Sequence, residues 1–268
     1  MAAASQPVAG GVGLALSGGA ARAIAHAGVL EVLAGEGIPV RAVAGTSAGA
    51  IVGALFAAGV PPKEIRRLAL ETRWTDFFAA RLPRAGLLPG EGLERFLARQ
   101  IPARTFADLR LPFVAVATDL ATGERVDIVE GDVARAVLAS CSVPILFEPV
   151  ALGGRLLVDG GISSQLPVRA LRQRLGAFPA VAVDVNVGGT EPPRLDDALH
   201  VALHLAMLWT ARRAGEEAAL ADVLVGVDAR GTTLHDLDQG LELLRRGREA
   251  ARAALPAVRA LAGLPEAH

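Results

Sequence analysis

The stretch Ala42-Val43-Ala44-Gly45-Thr46-Ser47-Ala48-Gly49-Ala50-Ile51-Val52-Gly53-Ala54-Leu55-Phe56 changes character at its middle, and that change decides the fold. Ala42-Val43-Ala44 is an apolar run of strand type, while Ala50 to Phe56 is a helix of small and aliphatic residues. Between them, Gly45-Thr46-Ser47-Ala48-Gly49 fits the G-x-S-x-G turn that presents a nucleophilic serine between strand and helix. A serine in so sharp a turn is held in a strained backbone conformation, which only small flanking residues such as Gly45 and Gly49 make sterically possible. Its hydroxyl then projects at the N-terminus of the next helix, where the helix dipole favours a developing anion. The plainer alternative is a tight βα turn with an inert capping serine.

The same region raises a membrane question. Ala42 to Pro62 is a span of 21 residues without a charge, and Gly45, Gly49 and Gly53 repeat at four-residue spacing, so length alone permits a transmembrane helix. Composition argues for strand, turn and helix instead, because alanine and glycine dominate and large aliphatics are few.

Working outward, strand-length apolar runs alternate with helical patterns, the rhythm of βαβ units and a mostly parallel sheet. The expected strands are Val12–Leu16, Ala42–Gly45, Phe113–Ala117, Arg125–Val129, Arg155–Val158, Ala180–Val185 and Val223–Val227. The expected helices are Ala20–Gly35, Ala48–Ala58, Pro62–Thr72, Gly90–Gln100, Asp132–Ser140, Pro167–Leu175, Leu195–Glu217 and Asp236–Ala262. Leu195, Leu199, Ala202, Ala206 and Trp209 form a stripe on the long helix that should pack against the sheet. No repeat or low-complexity linker divides the chain, so one α/β domain over residues 1–268 is expected. Residues 73–109 are looser and hold Trp74, Phe77, Phe78 and Phe96; they read either as a small subdomain or as a lid over an apolar pocket.

Composition sets outer limits. The chain has 268 residues, 52% of them hydrophobic, which suits a folded domain and excludes disorder. With 27 basic and 28 acidic residues the net charge is −1, so no nucleic-acid partner is expected. The single cysteine, Cys141, allows no internal disulfide and no cysteine zinc finger. The first basic residue is Arg22, so the basic start of a secretory signal is missing and a cytoplasmic protein is expected.

Ser17-Gly18-Gly19-Ala20-Ala21-Arg22 follows the first strand and opens a helix. Small consecutive residues expose backbone N–H groups, which bind anions at a helix start. The lysine and hydroxyl of a nucleotide P-loop are missing, and Gly11 and Gly13 stand at the start of their strand rather than after it. An oxyanion hole for Ser47 is therefore the more economical role for Gly18, Gly19, Ala20 and Ala21, with Arg22 holding the loop or attracting a phosphate.

The serine needs a proton acceptor. His200 and His204 have metal-type spacing but no third ligand in motif form, and read as ordinary helix residues. Two candidates remain: His235, in Ser…Asp…His chain order, and Asp159, at the end of Leu156-Leu157-Val158-Asp159-Gly160-Gly161. Burial would raise the pKa of Asp159 enough for it to accept a proton, and Gly160 and Gly161 would let the chain approach the serine closely.

Taken in order, Gly18-Gly19-Ala20-Ala21-Arg22, Gly45-Thr46-Ser47-Ala48-Gly49 and Asp159-Gly160-Gly161 resemble the patatin-like phospholipase family. The resemblance continues through Ala117-Thr118-Asp119-Leu120-Ala121-Thr122-Gly123-Glu124, the block from Ala139 to Pro149, and Gln165-Leu166-Pro167-Val168, and covers roughly Val12 to Val185. It implies a three-layer α/β/α fold, Ser47 as nucleophile, Asp159 as its base in a dyad, and the Gly18–Ala21 amides as oxyanion donors. It further implies a lipid ester or phospholipid substrate and no cofactor or metal. Ser17 and Ala20 depart from the family, standing where glycine is common.

Other residues have quieter readings. Cys141 is expected to be a buried small hydrophobe, Asp119 to make a turn, and Ser163 and Ser164 to cap the helix that follows. Arg245, Arg246, Arg248, Arg252 and Arg259 form a basic face on the last helix, either simply solvated or drawn peripherally to anionic lipid. The leading expectation is a serine acyl hydrolase. Its alternatives are a Ser-His-Asp esterase using His235, an acyltransferase, and a lipid- or acyl-binding regulatory protein.

Overall fold

A computed structural model describes residues 10–77, 88–176, 178–189 and 198–265. Among the described residues, eight strands form one sheet: β1 (Val12–Leu16), β2 (Val40–Thr46), β3 (Phe113–Asp119), β4 (Arg125–Ile128), β5 (Val150–Leu152), β6 (Arg155–Asp159), β7 (Ala180–Val187) and β8 (Val223–Asp228). The helices are α1 (Ile24–Gly35), α2 (Ala48–Ala57), α3 (Pro62–Glu71), α4 (Glu91–Gln100), α5 (Val133–Cys141), α6 (Val168–Leu175), α7 (Ala198–Ala218) and α8 (Gly240–Leu261). The strand order is β5-β6-β3-β2-β1-β7-β8, with β4 also paired to β3. Neighbours from β3 through β2, β1 and β7 to β8 are parallel, while β4, β5 and β6 are joined by antiparallel pairings.

Alternation along the strands explains the layers. Val12, Leu14, Leu16, Val43, Phe113, Val181 and Val183 point to one face and pack with α1, α2, α5 and α8. Ala15, Ala42, Ala44, Val114, Ala180 and Ala182 point to the other, against Leu166, Leu171 and Ala214 of the α6–α7 side. The small residues on that second face let α6 lie close to the sheet, and Gly13 leaves room for Leu171, whose methyl carbons would stand 3.1 Å from a Cβ there.

The junction that matters lies on β3. Val116 pairs with Asp127 of β4 and with Thr46 of β2, and Thr118 pairs with Arg125 of β4 and Val158 of β6. A strand residue has two edges, so β2 and β6 share the edge of β3 that β4 does not use.

The expected elements are found, with three differences. β5 went unseen, although Gly153-Gly154, both at positive φ, are the sequence signal of a two-residue hairpin joining it to β6. As expected, the uncharged span from Ala42 to Pro62 is divided between β2 and α2, and no described helix is long and apolar enough to cross a membrane. On α7, Trp209 faces solvent with Arg213 stacked 5.3 Å from its ring centre, and Val201, Leu205 and Leu208 are exposed too. Among the described side chains of this helix, Ala214 and Glu217, near its C-terminus, are the buried ones. Leu195 and the side chains of Leu199, His200, Ala202 and Ala206 lie outside the described residues. Finally, Ser163 and Ser164 do not cap α6: Ser164 donates to Glu217 Oε1 at 2.5 Å, and Glu217 Oε2 accepts the Arg169 N–H of α6 at 3.2 Å.

In the region expected to be a subdomain or lid, residues 78–87 lie outside the description. Around them, Trp74, Phe77 and Phe96 form an edge-to-face chain with ring centres 5.8 and 5.1 Å apart, and Leu93 and Leu97 of α4 join the core. On α8, Arg245 pairs with Glu242 and Glu249, Arg246 with Glu242, Arg248 with Glu31 and Arg259 with Glu36, so much of the basic face is neutralised in place.

Candidate active site

Ser47 stands between β2 and α2 with φ +53° and ψ −129°. A non-glycine residue held there costs on the order of 1 kcal/mol or more, so its surroundings must hold it. Its N–H donates to Ser140 Oγ at 2.8 Å, and the buried Ser140 hydroxyl donates onward to the Val116 carbonyl at 2.5 Å. Next to it, Thr46 Oγ1 donates to the Ser164 carbonyl at 2.8 Å. Gly49 allows α2 to begin against the end of β1, since a Cβ there would lie 2.4 Å from the Ser17 carbonyl oxygen. Gly45 likewise admits Ala50, whose Cα would be 2.5 Å from a Cβ.

Asp159 ends β6 and is buried. Its Oδ2 accepts the Ser47 hydroxyl at 2.6 Å and its Oδ1 accepts the Gly161 N–H at 2.7 Å. Burial raises its pKa to about 6, and the bonds from Ser47 and Gly161 partly offset that rise. Gly160 permits the approach: a Cβ there would stand 2.1 Å from the Val116 carbonyl oxygen. Cys141 is buried and free, as expected. Burial and then the charge of Asp159 push its thiol well above the usual range, which the Ser47 hydroxyl partly offsets. It is therefore no nucleophile.

The loop after β1 lies beside the serine, with a Cβ at Gly18 only 3.2 Å from Ser47 Cβ. Its four amides are not equivalent. Gly18 N–H donates to the Gln165 carbonyl and Ala21 N–H to the Leu234 carbonyl, each at 3.0 Å. Gly19 N–H and Ala20 N–H have no acceptor among the described residues. Ala20 has φ +46°, a conformation that favours glycine, which accounts for glycine being common at this position. Ser17 is used differently, as its Oγ accepts the Val185 N–H at 3.1 Å. Arg22 is buried and holds the loop: its guanidinium donates to Thr232 Oγ1, the Thr232 carbonyl and the Gly189 carbonyl at 3.1, 2.6 and 3.0 Å.

His26 reinforces the loop from below. Its Nε2 lies 2.9 Å from the Ser17 carbonyl, which can only accept, so that nitrogen carries the proton. Nδ1 has no partner among the described residues, and burial lowers the ring pKa to about 4, so the imidazole is neutral near pH 7.

His235 is exposed, and its carbonyl accepts the Trp74 indole N–H at 2.6 Å. No hydrogen bond joins it to Ser47 among the described residues, and the Ser47 hydroxyl is already engaged by Asp159. Asp119 makes the expected turn, accepting the Ala121 N–H at 2.9 Å. A cleft of about 440 Å³ lined by Arg67, Glu71, Arg95 and Arg99 includes neither Ser47 nor Asp159.

The sequence reading missed Ser140 and His26. No local pattern distinguishes them, because each works through a partner brought up by another element.

A family model for patatin-like phospholipase matches residues 14–172, a segment that runs from β1 through the Asp159 turn into α6. The chain belongs to the patatin-like phospholipase family. An uncharacterized NTE family protein of Mycobacterium tuberculosis is 31% identical over 221 residues, which cover 79% of this chain and 58% of that protein. Patatin-like phospholipase domain-containing protein 7 of Rattus norvegicus is 33% identical over 185 residues, or 65% of this chain and 14% of that much longer protein. This patatin-like chain thus spans little more than half the length of the mycobacterial relative. Among solved structures, VipD from Legionella pneumophila shares the fold with a TM-score of 0.53 at 15% identity, covering 96% of this chain and 72% of that one. ExoU of Pseudomonas aeruginosa, solved with SpcU, does so with a TM-score of 0.57 at 15% identity, covering 93% and 53%. The likeness places the patatin-like fold, a central sheet flanked by helices, across the described chain.

Proposed function

We propose that this chain is a serine acyl hydrolase that cleaves lipid esters, with Ser47 as nucleophile and Asp159 as its proton acceptor. The observation that carries the reading is the 2.6 Å hydrogen bond from Ser47 Oγ to Asp159 Oδ2 between residues 112 positions apart. Ser47 Oγ attacks the ester carbonyl carbon while its proton passes to Asp159, and the carbonyl oxygen becomes an oxyanion. The N–H groups of Gly19 and Ala20, which lack other acceptors among the described residues, are the donors for that oxyanion, and the N-terminus of α2 adds its dipole. Collapse of the intermediate breaks the ester C–O bond, and the leaving alkoxide takes the proton from Asp159. Water then attacks the acyl-serine, Asp159 accepts its proton, and the Ser47 oxygen regains that proton as the acid departs.

A carboxylate with a pKa of about 6 is a stronger base than an exposed aspartate and is still ionised near neutral pH, as proton transfer from serine requires. Family membership supports a lipid ester, phospholipid included, as the substrate. The test is hydrolysis of p-nitrophenyl esters and of phospholipid vesicles beside Ser47→Ala and Asp159→Asn, with a fluorophosphonate probe to label Ser47. Both variants are expected to lose turnover while staying folded, and only Ser47→Ala to lose its attachment point outright. Full turnover by either variant rejects the dyad, and a folded wild-type chain that resists the probe favours an acyl-binding role instead.

A further inference from the structure

We infer that Asn186 is a positioning residue that orients the Gly18–Gly19 peptide and thereby aims the Gly19 N–H at the oxyanion; this rests on the proposed role of Ser47. Asn186 Nδ2 donates to the Gly18 carbonyl at 2.8 Å. In a trans peptide the C=O and the following N–H point in opposite directions. Anchoring the Gly18 carbonyl on Asn186 therefore turns the Gly19 N–H to the opposite side of that peptide. That N–H has no acceptor among the described residues, and a Cβ on Gly18 beside it would stand 3.2 Å from Ser47 Cβ.

Asn186 is itself held in one orientation. Its backbone N–H and its Nδ2 donate to Asp184 Oδ1 at 2.9 and 3.3 Å. If the side-chain amide were flipped, its oxygen would face both the Gly18 carbonyl and the Asp184 carboxylate, so only the present orientation is satisfied. Asp184 lies on β7, whose ladder with β1 ends at Leu16 and Val183. Beyond that point side chains continue the connection: Ser17 Oγ accepts the Val185 N–H at 3.1 Å, and Asn186 reaches Gly18. Residues 184 to 186 follow the segment matched by the family model, so the loop after β1 is completed from outside that segment.

The test compares the full wild-type chain with Asn186→Asp and Asn186→Ala, using p-nitrophenyl butyrate turnover and the fluorophosphonate probe. Asn186→Asp is nearly isosteric but sets an acceptor against the Gly18 carbonyl. We expect kcat to fall by roughly 10²-fold with KM changed by less than about two-fold, the loss typical of one oxyanion donor. The labelling rate should fall in parallel while the final labelled fraction stays complete. A merely structural role would instead lower the thermal midpoint and the labelled fraction together. If Asn186→Asp does not fold, Asn186→Ser, too short to reach the carbonyl, serves the same comparison. Variants that keep the wild-type kcat and labelling rate overturn the inference and leave Ser47 as nucleophile. A wild-type chain that neither turns over ester nor takes the label overturns the role of Ser47, and this inference with it.

Discussion

Thr46 and Asp159 lie beside consecutive residues of β3, Val116 and Ala117, on one edge of that strand. β2 arrives parallel to β3 and β6 antiparallel, so their C-terminal ends meet head-on there. Ser47, the next residue after β2, is thereby delivered to the last residue of β6.

The junction leaves no room for an added methyl group. Gly160→Ala would place a Cβ 2.1 Å from the Val116 carbonyl oxygen and force the end of β6 away from β2. We expect a loss of about 1–3 kcal/mol of stability, as for overpacking elsewhere. A displacement near 1 Å at the serine should lower kcat by roughly 10²-fold. Thermal denaturation and ester hydrolysis measured on the same preparation check both.

Ser140 links the serine turn to the same carbonyl. Ser140→Ala leaves the Ser47 N–H and the Val116 carbonyl without the bonds of 2.8 and 2.5 Å that they now make. The expected penalty is about 1–3 kcal/mol in stability, with kcat affected more than KM. Ser140→Thr, which restores a hydroxyl, should recover part of the rate. Equal rates for the alanine and threonine variants would remove Ser140 from any positioning role.

The pH profile follows from Asp159. As the proposed base it must be ionised, and its pKa is raised to about 6. We expect kcat/KM to be low in acid, to rise with unit slope through about pH 6 and to level off above it. A plateau extending unchanged to pH 4, near the ordinary aspartate value, would contradict this assignment.

The same shift makes Asp159 a liability for stability. A carboxyl whose pKa is raised on folding contributes stability that is full below the unfolded value and is lost as pH rises through about 6. Asp159→Asn should therefore raise the thermal midpoint relative to wild type at pH 8 but not at pH 4, with a gain on the order of 1–3 kcal/mol at the higher pH. Calorimetry at the two pH values decides it.

His26 acts in the opposite direction. Burial lowers its pKa from 6.5 to about 4, so stability is lost as pH falls through that interval, by up to about 3 kcal/mol. His26→Gln does not titrate and keeps a donor available for the Ser17 carbonyl, so its stability should vary less between pH 6 and 4 than that of wild type.

The sequence by itself determined the alternation of strands and helices, the turn at Gly45–Gly49 and the carboxylate at the end of β6. These are local properties: residue period, small residues at a turn, and an Asp-Gly-Gly after an apolar run. Local reading left the proton acceptor open between Asp159 and His235, and only resemblance to a family favoured Asp159. It treated the four amides of Gly18 to Ala21 alike, and it faced Trp209 inward. Tertiary structure brought Ser47 and Asp159 together, told the four amides apart and turned Trp209 outward. Ser47 and Asp159 meet because β2 and β6 share one edge of β3, and pairing register depends on contacts distant in the chain that no local period encodes. Two of the four amides are occupied because Gln165 and Leu234 supply carbonyls from other segments. Ser140, His26 and Asn186 matter only through their partners, and a partner exists only once the chain has folded.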